Sequence, residues 1–457
     1  MSDSKRRLLP RLRTFLVRVL LPLVLIVAVM AVQFTDPPFR ARIRDNAFDQ
    51  LQLLAPLPYQ DSLPVRVIAI DDASLTAIGQ WPWPRTVLAG IIDRLTQMGA
   101  RVVALDMVMS EPDRTSPEQV SASWPKRQAL LDVLDKLPSH DKILAQSFSR
   151  SSVDVGFPIE PVAVSARLPP VKAHFLSFGG KASDWLPHYG GGLASLPVLT
   201  DAAQGSGAIS MEPSSDGVLR AVPLLYFVKD TLYPGLGLEA LRLFAGLDNL
   251  SLQIAGQAVG QAGGILGVGL GKDTFLPTAT DGRVWLHFRP LAPERYISAQ
   301  DVLANKVDPG KIKDHIIFIG ATAKGLGDTI YSPLGELIPG IEGHVQLVEQ
   351  LMTGDSLSRP AWENDLLLAT LLGTALLLWL LLARYRPVWS VLLTALVVTG
   401  LFALSVWLFM FKQLLLDPLY PGAVSRCAIH RDGRSTLSAN RTGAALDTQC
   451  VFALRLA

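Results

Sequence analysis

The sequence VRVIAIDDASLTAIGQWPWPRTVLAGIIDRLTQMGARVVALDMVMSEPD occupies residues 65–113 and decides the fold. Its first apolar run, residues 65–70, predicts a strand, and residues 102–105 predict a second one. Gly99 suits the position just past a helix end, where a positive φ is common. The apolar residues between the two strands recur at helical spacing and predict an amphipathic helix that packs on a sheet; they are Val87, Leu88, Ile91, Ile92, Leu95 and Met98.

A strand, a helix and a second strand in this order predict two parallel strands joined by a right-handed crossover. We expect the two strands to be adjacent, with their backbones roughly 5 Å apart. Asp71 and Asp72 would then lie near Asp106, since each carboxylate follows a strand end. Open parallel sheets bind ligands outside the carboxyl ends of their strands. The fold prediction is therefore an α/β domain with a parallel or mixed sheet and a ligand face at this end.

Acidic residues at this end have a functional and a structural interpretation. Carboxylates so close raise one another's pKa unless a cation lies between them, and Arg85 is the nearest candidate. The functional interpretation is a site for a polar ligand or a cation. In the structural one, Asp72 caps the following turn and Asp106 pairs with Arg85. The candidate ligand-binding residues of the chain are Asp71, Asp72, Ser74, Trp81, Trp83, Arg85, Asp106 and Asp328.

Two tryptophans alternate with prolines in the segment Trp81-Pro82-Trp83-Pro84. Proline fixes φ, so this segment is stiff and presents both indoles at a low entropic cost. The pair is suited to stacking on a ligand, to a dimer contact or to the bilayer surface. The alternative is packing of both rings in the core of their own domain.

Two further motifs carry weaker signals. Residues 320–328, GATAKGLGD, follow a predicted strand, and their glycines would let backbone amides approach a phosphate. The segment lacks both the GxGxxG order and the GKS/T ending, so a tight turn is the favoured interpretation. His344 with Glu342 suggests a metal or switch pair, but a histidine without a second ligand at suitable spacing is usually structural. We predict no metal and no cofactor.

The composition limits the class of protein. Only 18% of the 457 residues are charged and the formal net charge is +2. This balance does not favour nucleic-acid binding, which usually appears as a clustered basic face. Both cysteines, Cys427 and Cys450, lie near the end of the sequence. No disulfide framework is therefore expected in the rest of the chain.

The hydropathy pattern predicts a multi-pass protein of the inner (cytoplasmic) membrane. A basic segment, residues 1–14, would remain in the cytoplasm, and residues 15–34 would form an uncleaved transmembrane anchor. A cleaved signal peptide is the alternative, but no small-x-small cleavage site ends the run. Residues 366–383 and 388–411 contain no charged residue and predict two more spans, joined by a basic cytoplasmic loop at 384–387. Residues 36–360 would then form a globular domain outside the cytoplasm.

The last segment, residues 412–457, is atypical. Residues 422–457 contain five arginines, no lysine and no long apolar run. Our hypothesis is that this tail is a truncated or frameshifted reading of a longer gene. The alternative is a disordered extracytoplasmic tail.

Several motifs follow one another in a defined order along the chain. They are residues 70–75, 79–85, 99–100, 106, 110–113, 216–220, 319–322, 328, 332–334, 339–342 and 344. Together they resemble the CHASE type-2 domain, an extracytoplasmic sensory domain of bacterial cyclases and of histidine or serine/threonine kinases. The resemblance covers roughly residues 40–358. It implies an N-terminal anchor, a sensor, usually three spans and a cytoplasmic output domain.

This sequence departs from that architecture because the last span and the output domain are missing. We therefore expect the sensing part of a receptor and no enzyme, acting as a homodimer on an unknown small-molecule or protein signal, with the lipid bilayer as its other partner. Two alternatives stay open. One is an extracytoplasmic hydrolase that uses acidic residues, although no Ser-His-Asp order or HExxH motif occurs. The other is a structural membrane protein without a ligand.

Overall fold

The structure is a computed structural model. It describes residues 38–123, 134, 136–162, 167–256, 263–272, 274–327, 329–359, 369, 373 and 387–416. The helices are α1 (Pro38–Leu54), α2 (Asp72–Ile78), α3 (Arg85–Gln97), α4 (Pro117–Ser123), α5 (His140–Ser149), α6 (Pro197–Ala202), α7 (Leu236–Phe244), α8 (Ala299–Leu303), α9 (Ile341–Thr353) and α10 (Pro387–Lys412). Single 3-10 turns occur at Ala182–Asp184, Pro293–Arg295 and Pro309–Lys311.

The strands begin with the two predicted ones and continue along the chain. They are β1 (Val65–Ile70), β2 (Val102–Leu105), β3 (Val153–Phe157), β4 (Ile159–Glu160), β5 (His174–Phe178), β6 (His188–Tyr189), β7 (Gly191–Gly192), β8 (Gly205–Ala208), β9 (Ala221–Pro223), β10 (Leu225–Val228), β11 (Thr231–Pro234), β12 (Asn249–Ala255), β13 (Gly264–Leu270), β14 (Thr274–Pro277), β15 (Arg283–Trp285), β16 (Tyr296–Ser298), β17 (Ile316–Ala321), β18 (Thr329–Tyr331) and β19 (Leu337–Pro339).

The main sheet has six strands in the order β16-β1-β17-β2-β3-β8. Every neighbouring pair in it is parallel. Parallel strands need crossover connections, and the crossover helices cover both faces of such a sheet. All six residues of β1 are accordingly buried.

Alternate residues of β1 contribute to two separate cores. Val65 and Val67 belong to the larger core, which also contains residues of α7 and α9. Ile68 and Ile70 belong to the other core, which contains the predicted apolar face of α3. The period of two in the strand thus distributes its side chains between two helix layers.

The expected adjacency of β1 and β2 is wrong, because β17 lies between them. Ile68 pairs with Ile319 of β17, and Ile319 pairs in turn with Leu105 of β2. The crossover through α3 therefore passes over one strand position. That position is filled by a strand that the chain reaches some 210 residues later. The two strand ends are separated by about 10 Å rather than about 5 Å.

Smaller sheets accompany the parallel one and confirm that the domain also contains mixed sheets. In the sheet of order β14-β13-β12-β5, β12 pairs with β13 in antiparallel and with β5 in parallel orientation. A hairpin joins β10 and β11. Residues 214–217 form a turn in which Gly217 donates its amide to the Ser214 carbonyl.

The chain divides into two compact units. One comprises Arg42–Trp362 and Thr394–Leu419 and contains all the sheets. The other comprises Met1–Ala41, Glu363–Leu393 and Tyr420–Ala457, of which the structure describes residues 38–41, 369, 373 and 387–393. Helix α10 includes the third predicted span, residues 388–411. In the part of the chain that the structure describes, no helix has the length and apolarity to cross a membrane. The span at 15–34 lies outside the described residues, as does nearly all of 366–383.

Candidate functional site

Asp71 links the carboxyl ends of two neighbouring strands, β1 and β16. It is the N-cap of α2, where its Oδ1 accepts hydrogen bonds from the Ser74 amide at 2.8 Å and from Ser298 Oγ at 2.9 Å. Ser74 is fully buried, and its Oγ lies 2.9 Å from Ser298 Oγ and accepts the Gln300 amide at 3.1 Å. An N-cap carboxylate satisfies helix amides that would otherwise lack partners. These bonds fix the geometry at this end of the sheet.

The other two predicted carboxylates occupy different environments. Asp72 is exposed in the first turn of α2. The capping residue is therefore Asp71, and the interpretation that Asp72 is the cap is wrong. Asp106 is partly buried at the end of β2, where its amide donates to Ile319 of β17 at 2.9 Å. Asp71 follows β1 and Asp106 follows β2. Because β17 lies between β1 and β2, the two acids are not at the ends of neighbouring strands.

Arg85 lies at the start of α3 and contacts two acidic residues. Its amide donates to Asp113 Oδ2 at 2.7 Å, and its Nε lies 3.6 Å from Asp141 Oδ1. The predicted pair of Arg85 with Asp106 is wrong, since the carboxylate that pairs with Arg85 is Asp141. Asp141 lies in the first turn of α5. Helix α4 lies between α3 and α5 in the sequence, so Asp141 and Arg85 are neighbours only in the folded chain.

Asp113 is the most highly coordinated acid in this region. Its carboxylate accepts from the Arg85 amide, from the amide and Oγ1 of Thr115, both at 2.8 Å, and lies 3.1 Å from His140 Nδ1. Burial by itself disfavours the charged form, but these donors outweigh it and lower the pKa of Asp113. We call Arg85, Asp113, Thr115, His140 and Asp141 the edge cluster.

Asp141 differs from Asp113 although the two acids lie in contact. Its Oδ2 accepts the Asp113 amide at 3.2 Å, while its Oδ1 has no hydrogen-bond partner. Burial raises the pKa of Asp141. Arg85 Nε is likewise buried without a hydrogen-bond partner. Arg85 Nε and Asp141 Oδ1 lie 3.6 Å apart without a hydrogen bond. Both atoms can therefore still form a hydrogen bond with a water or a ligand atom.

The two tryptophans differ in burial. Trp83 is 2% exposed, belongs to the same core as Leu88, and donates its Nε1 to the Gly79 carbonyl at 2.8 Å. Trp81 is partly buried, and its ring meets that of Trp83 edge to face at 5.2 Å. Trp83 therefore packs in the core of its own domain, while Trp81 retains an accessible part.

The segment after β17 forms a turn against β1. Thr322 and Ala323 donate their amides to the Ile70 carbonyl, and Gly325 and Gly327 have positive φ angles of 95° and 85°. Such angles strongly favour glycine. Asp328, the last residue of this candidate site, lies outside the described residues.

His344 and Glu342 both lie on α9, but they have different partners. His344 is buried, its Nε2 lies 3.2 Å from the Ile209 carbonyl, and burial lowers its pKa to about 4. Glu342 instead accepts two hydrogen bonds from Arg295. Among the described residues, no group of three or more His, Cys, Asp or Glu side chains is arranged to hold a metal ion.

A second buried group of charges surrounds α9 and was not predicted. Arg295 is fully buried and binds Glu342 at 2.6 and 2.8 Å and Glu349 at 2.9 and 3.0 Å. Burial lowers the pKa of Arg289, which lies 3.8 Å from Glu349. Burial also raises the pKa of Glu349 against the attraction of both arginines. We call Arg289, Arg295, Glu342, Gln346 and Glu349 the base network.

Three glutamines hold the extended segment 285–289 between α1 and α9. Gln52 of α1 donates to the Leu286 carbonyl at 3.0 Å and accepts the Phe288 amide at 2.9 Å. Gln350 bonds in the same way to the Trp285 carbonyl and the His287 amide, and Gln346 to both backbone groups of Arg289. Each side chain thus replaces part of a neighbouring strand. We call Gln52, Gln346 and Gln350 the glutamine clamp.

Ion pairs connect α1 to the same body. Arg220 is 2% exposed, donates to both carboxylate oxygens of Asp49 at 2.7 and 2.8 Å, and also binds Asp216. Bidentate arginine–carboxylate pairs fix orientation as well as distance. Helix α1, which follows the predicted anchor, is therefore joined to the rest of the domain by both charge and amide contacts.

A family model described as the CHASE2 domain matches residues 23–385, which confirms the predicted resemblance. Domains of this family are sensory and extracytoplasmic. No curated protein and no solved structure matches the chain.

Proposed function

The chain belongs to the CHASE2 domain family, and we propose that it is the signal-sensing part of a bacterial transmembrane receptor. In this proposal residues 36–360 face the extracytoplasmic side, spans at 15–34, 366–383 and 388–411 hold the protein in the inner membrane, and a cyclase or kinase output domain lies outside this chain. The protein senses a small molecule or a protein and catalyses no reaction.

The observation that carries the proposal is the convergence of three segments at the base of the domain. Phe48 of α1, Leu357 after α9 and Phe409 of α10 share one small apolar core. Phe48 follows the first proposed span, Leu357 precedes the second, and Phe409 lies near the end of the third. A first span leading out, a second leading in and a third leading out would bring these three segments to the same membrane surface.

The proposed signal passes from the carboxyl end of the main sheet to this base. The ligand face would comprise Asp72, Trp81, Asp106 and the edge cluster, which has incompletely satisfied polar atoms. Helices that pack on the sheet, together with the glutamine clamp, connect that face to α1. A ligand that binds one arrangement of these elements more tightly would shift the population towards that arrangement, and with it the position of α1. The size of the shift is set by the difference between the ligand's affinities for the two states.

Cysteine accessibility tests the proposed topology. The chain has two cysteines, so a variant with Cys427→Ser and Cys450→Ser supplies a background for single substitutions. Asp230→Cys lies in the exposed turn between β10 and β11, and Arg386→Cys lies in the proposed cytoplasmic loop. In spheroplasts, a membrane-impermeant maleimide should label the first and spare the second. Labelling of Arg386→Cys alone would invert the topology, and equal labelling of both would exclude it.

A hydrolase is the second candidate, because Asp113 and His140 have the relative geometry of a carboxylate that orients a histidine. The distance of 3.1 Å to Nδ1 leaves Nε2 for a reacting group. His140→Ala separates the candidates when the unfolding of the variant is measured alongside. Loss of substrate turnover supports the hydrolase, an altered receptor response with unchanged stability supports the sensor, and a change in stability alone supports a structural protein.

A further inference from the structure

One acidic residue lies inside the main sheet, on β3, where the neighbouring strands are β2 and β8. Asp154 is fully buried and pairs with Ala104 on one side and with Gly205 on the other. Neither of its carboxylate oxygens has a hydrogen-bond partner. An ionised carboxylate without water or hydrogen bonds is strongly unfavourable, and such a group keeps its proton instead.

Helix α7 encloses Asp154 against the sheet. A Cβ atom added at Gly207 of β8 would lie 2.5 Å from Cα of Leu236, the first residue of α7, and 3.1 Å from Asp154 Oδ2. A Cβ atom added at Gly205 would lie 2.9 Å from Glu239 Oε1. The two glycines of β8 therefore allow α7 to lie directly over the carboxyl group.

The charged residues that α7 brings to this position are already paired with each other. Glu239 and Arg242 are buried, and Arg242 donates to both carboxylate oxygens of Glu239 at 2.7 and 2.8 Å. Exposed Asp248 also attracts Arg242. Burial raises the pKa of Asp154 well above its usual value, and the Glu239 carboxylate raises it further. The attraction of Arg242 and of the Gly207 backbone does not offset these two causes.

We propose that Asp154 is a proton-binding site, which holds its proton in the folded domain at neutral pH and releases it in an alkaline medium as α7 opens. An ionised group enclosed between a strand and a helix gains water only if one of the two moves. Helix α7 packs in turn on α9, since a Cβ atom added at Gly237 would lie 3.2 Å from the side chains of Leu347 and Val348. Helix α9 precedes the second proposed span, so this opening would reach the membrane as an alkaline signal, a step that rests on the proposed function.

The first test is the pH dependence of unfolding, measured by urea titration of the full chain in nanodiscs at pH 5, 6, 7 and 8. Asp154→Asn keeps the shape of the protonated acid but cannot ionise. The unfolded pKa of an aspartate is about 3.9, so in this range the wild type loses a proton when it unfolds. Its folding equilibrium constant should therefore fall by about tenfold per pH unit relative to that of Asp154→Asn, until the pH passes the folded pKa.

Two further variants keep this test decisive. Asp230→Asn is the matched control, because Asp230 is exposed in the turn between β10 and β11, and its pH profile should follow that of the wild type. Asp154→Ala removes the same proton as Asp154→Asn. Its pH profile should therefore match that of Asp154→Asn even if the smaller side chain lowers its stability at every pH.

Hydrogen exchange locates the opening. With the pH raised stepwise from 7 to 10 and rates corrected for intrinsic exchange, the amides of α7 should lose protection in the wild type and keep it in Asp154→Asn. The amides of α3, which belongs to the other core, should behave alike in both proteins.

Two outcomes would overturn the proposal. Parallel pH profiles of the wild type and both Asp154 variants would exclude the proton site, and unchanged protection of α7 at alkaline pH would exclude its opening. Neither measurement depends on membrane topology. Failure of the proton test in a chain that passes the cysteine topology test contradicts this inference alone, whereas failure of the topology test contradicts the receptor and leaves the proton site standing.

Discussion

The edge cluster and the base network are both buried groups of charges, but the contacts of Arg85 in the first and of Arg295 in the second differ in kind. In the base network, Arg295 makes two-point contacts with two carboxylates at 2.6–3.0 Å. In the edge cluster, Arg85 and Asp141 approach at a single pair of atoms 3.6 Å apart. Two hydrogen bonds between an arginine and one carboxylate fix their relative orientation. A single long contact leaves donor and acceptor atoms without hydrogen bonds. The comparison supports a rigid joint around Arg295 and is consistent with the proposed ligand face around Arg85.

The largest expected effect is the loss of the arginine at the centre of the base network. Arg295→Met leaves Glu342 and Glu349 buried without their shared cation, so the free energy of unfolding should fall by about 3–5 kcal/mol. Urea titration of the full chain in nanodiscs, followed by tryptophan fluorescence, measures it. Arg150→Met is the control, because its 3.7 Å pair with Asp93 is exposed and is worth at most about 1 kcal/mol. Similar losses in both variants would refute the rigid joint.

The next effect concerns the glutamine clamp. Gln52→Leu keeps the side-chain size but leaves the Leu286 carbonyl and the Phe288 amide without these bonds, at a cost of about 1–3 kcal/mol. Gln50→Leu is the control, because Gln50 is exposed two positions away on the same helix. The same urea titration measures both, and hydrogen exchange of the Phe288 amide should accelerate only in Gln52→Leu. Unchanged exchange there would contradict the role of the clamp.

The sequence predicted local structure well and distant contacts poorly. The bounds of β1 and β2 agree with the prediction because their apolar runs are continuous and short. The position of β17 between them could not be predicted, because nothing in residues 65–113 indicates that a later strand lies between β1 and β2. Asp141 was missed as the partner of Arg85 for the same reason.

The base network does have a signal in the sequence of α9. Glu342, Gln346, Glu349 and Gln350 recur at spacings of three and four, and all are buried together with the apolar residues of that helix. A helix with polar residues at helical spacing normally exposes them. Only the fold reveals that these polar residues meet Arg295 and the segment 285–289.

A smaller effect, dependent on pH, tests the edge cluster. Because the pKa of Asp113 is lowered in the folded state, its contribution to stability is present above the unfolded pKa of about 3.9 and is lost as the pH falls through the folded value. Asp113→Asn should therefore lose about 1–3 kcal/mol at pH 7 and less at pH 3, which lies below the unfolded pKa. Urea titrations at both pH values compare it with Asp230→Asn, an exposed control. An equal loss at pH 3 would mean that packing, not charge, explains the effect.

The smallest effect on stability is expected at Asp72, and it is the sharpest test of the proposed ligand face. Asp72 is exposed in the first turn of α2, where a negative charge near a helix N-terminus contributes about 0.3–1 kcal/mol. Asp72→Asn should thus remain nearly as stable as the wild type in the urea titration. A receptor in which a reporter cyclase follows the chain through an added span should nevertheless respond less to its stimulus. A normal response would remove Asp72 from the ligand face, and a large loss of stability would assign it to the framework that Asp71 already forms.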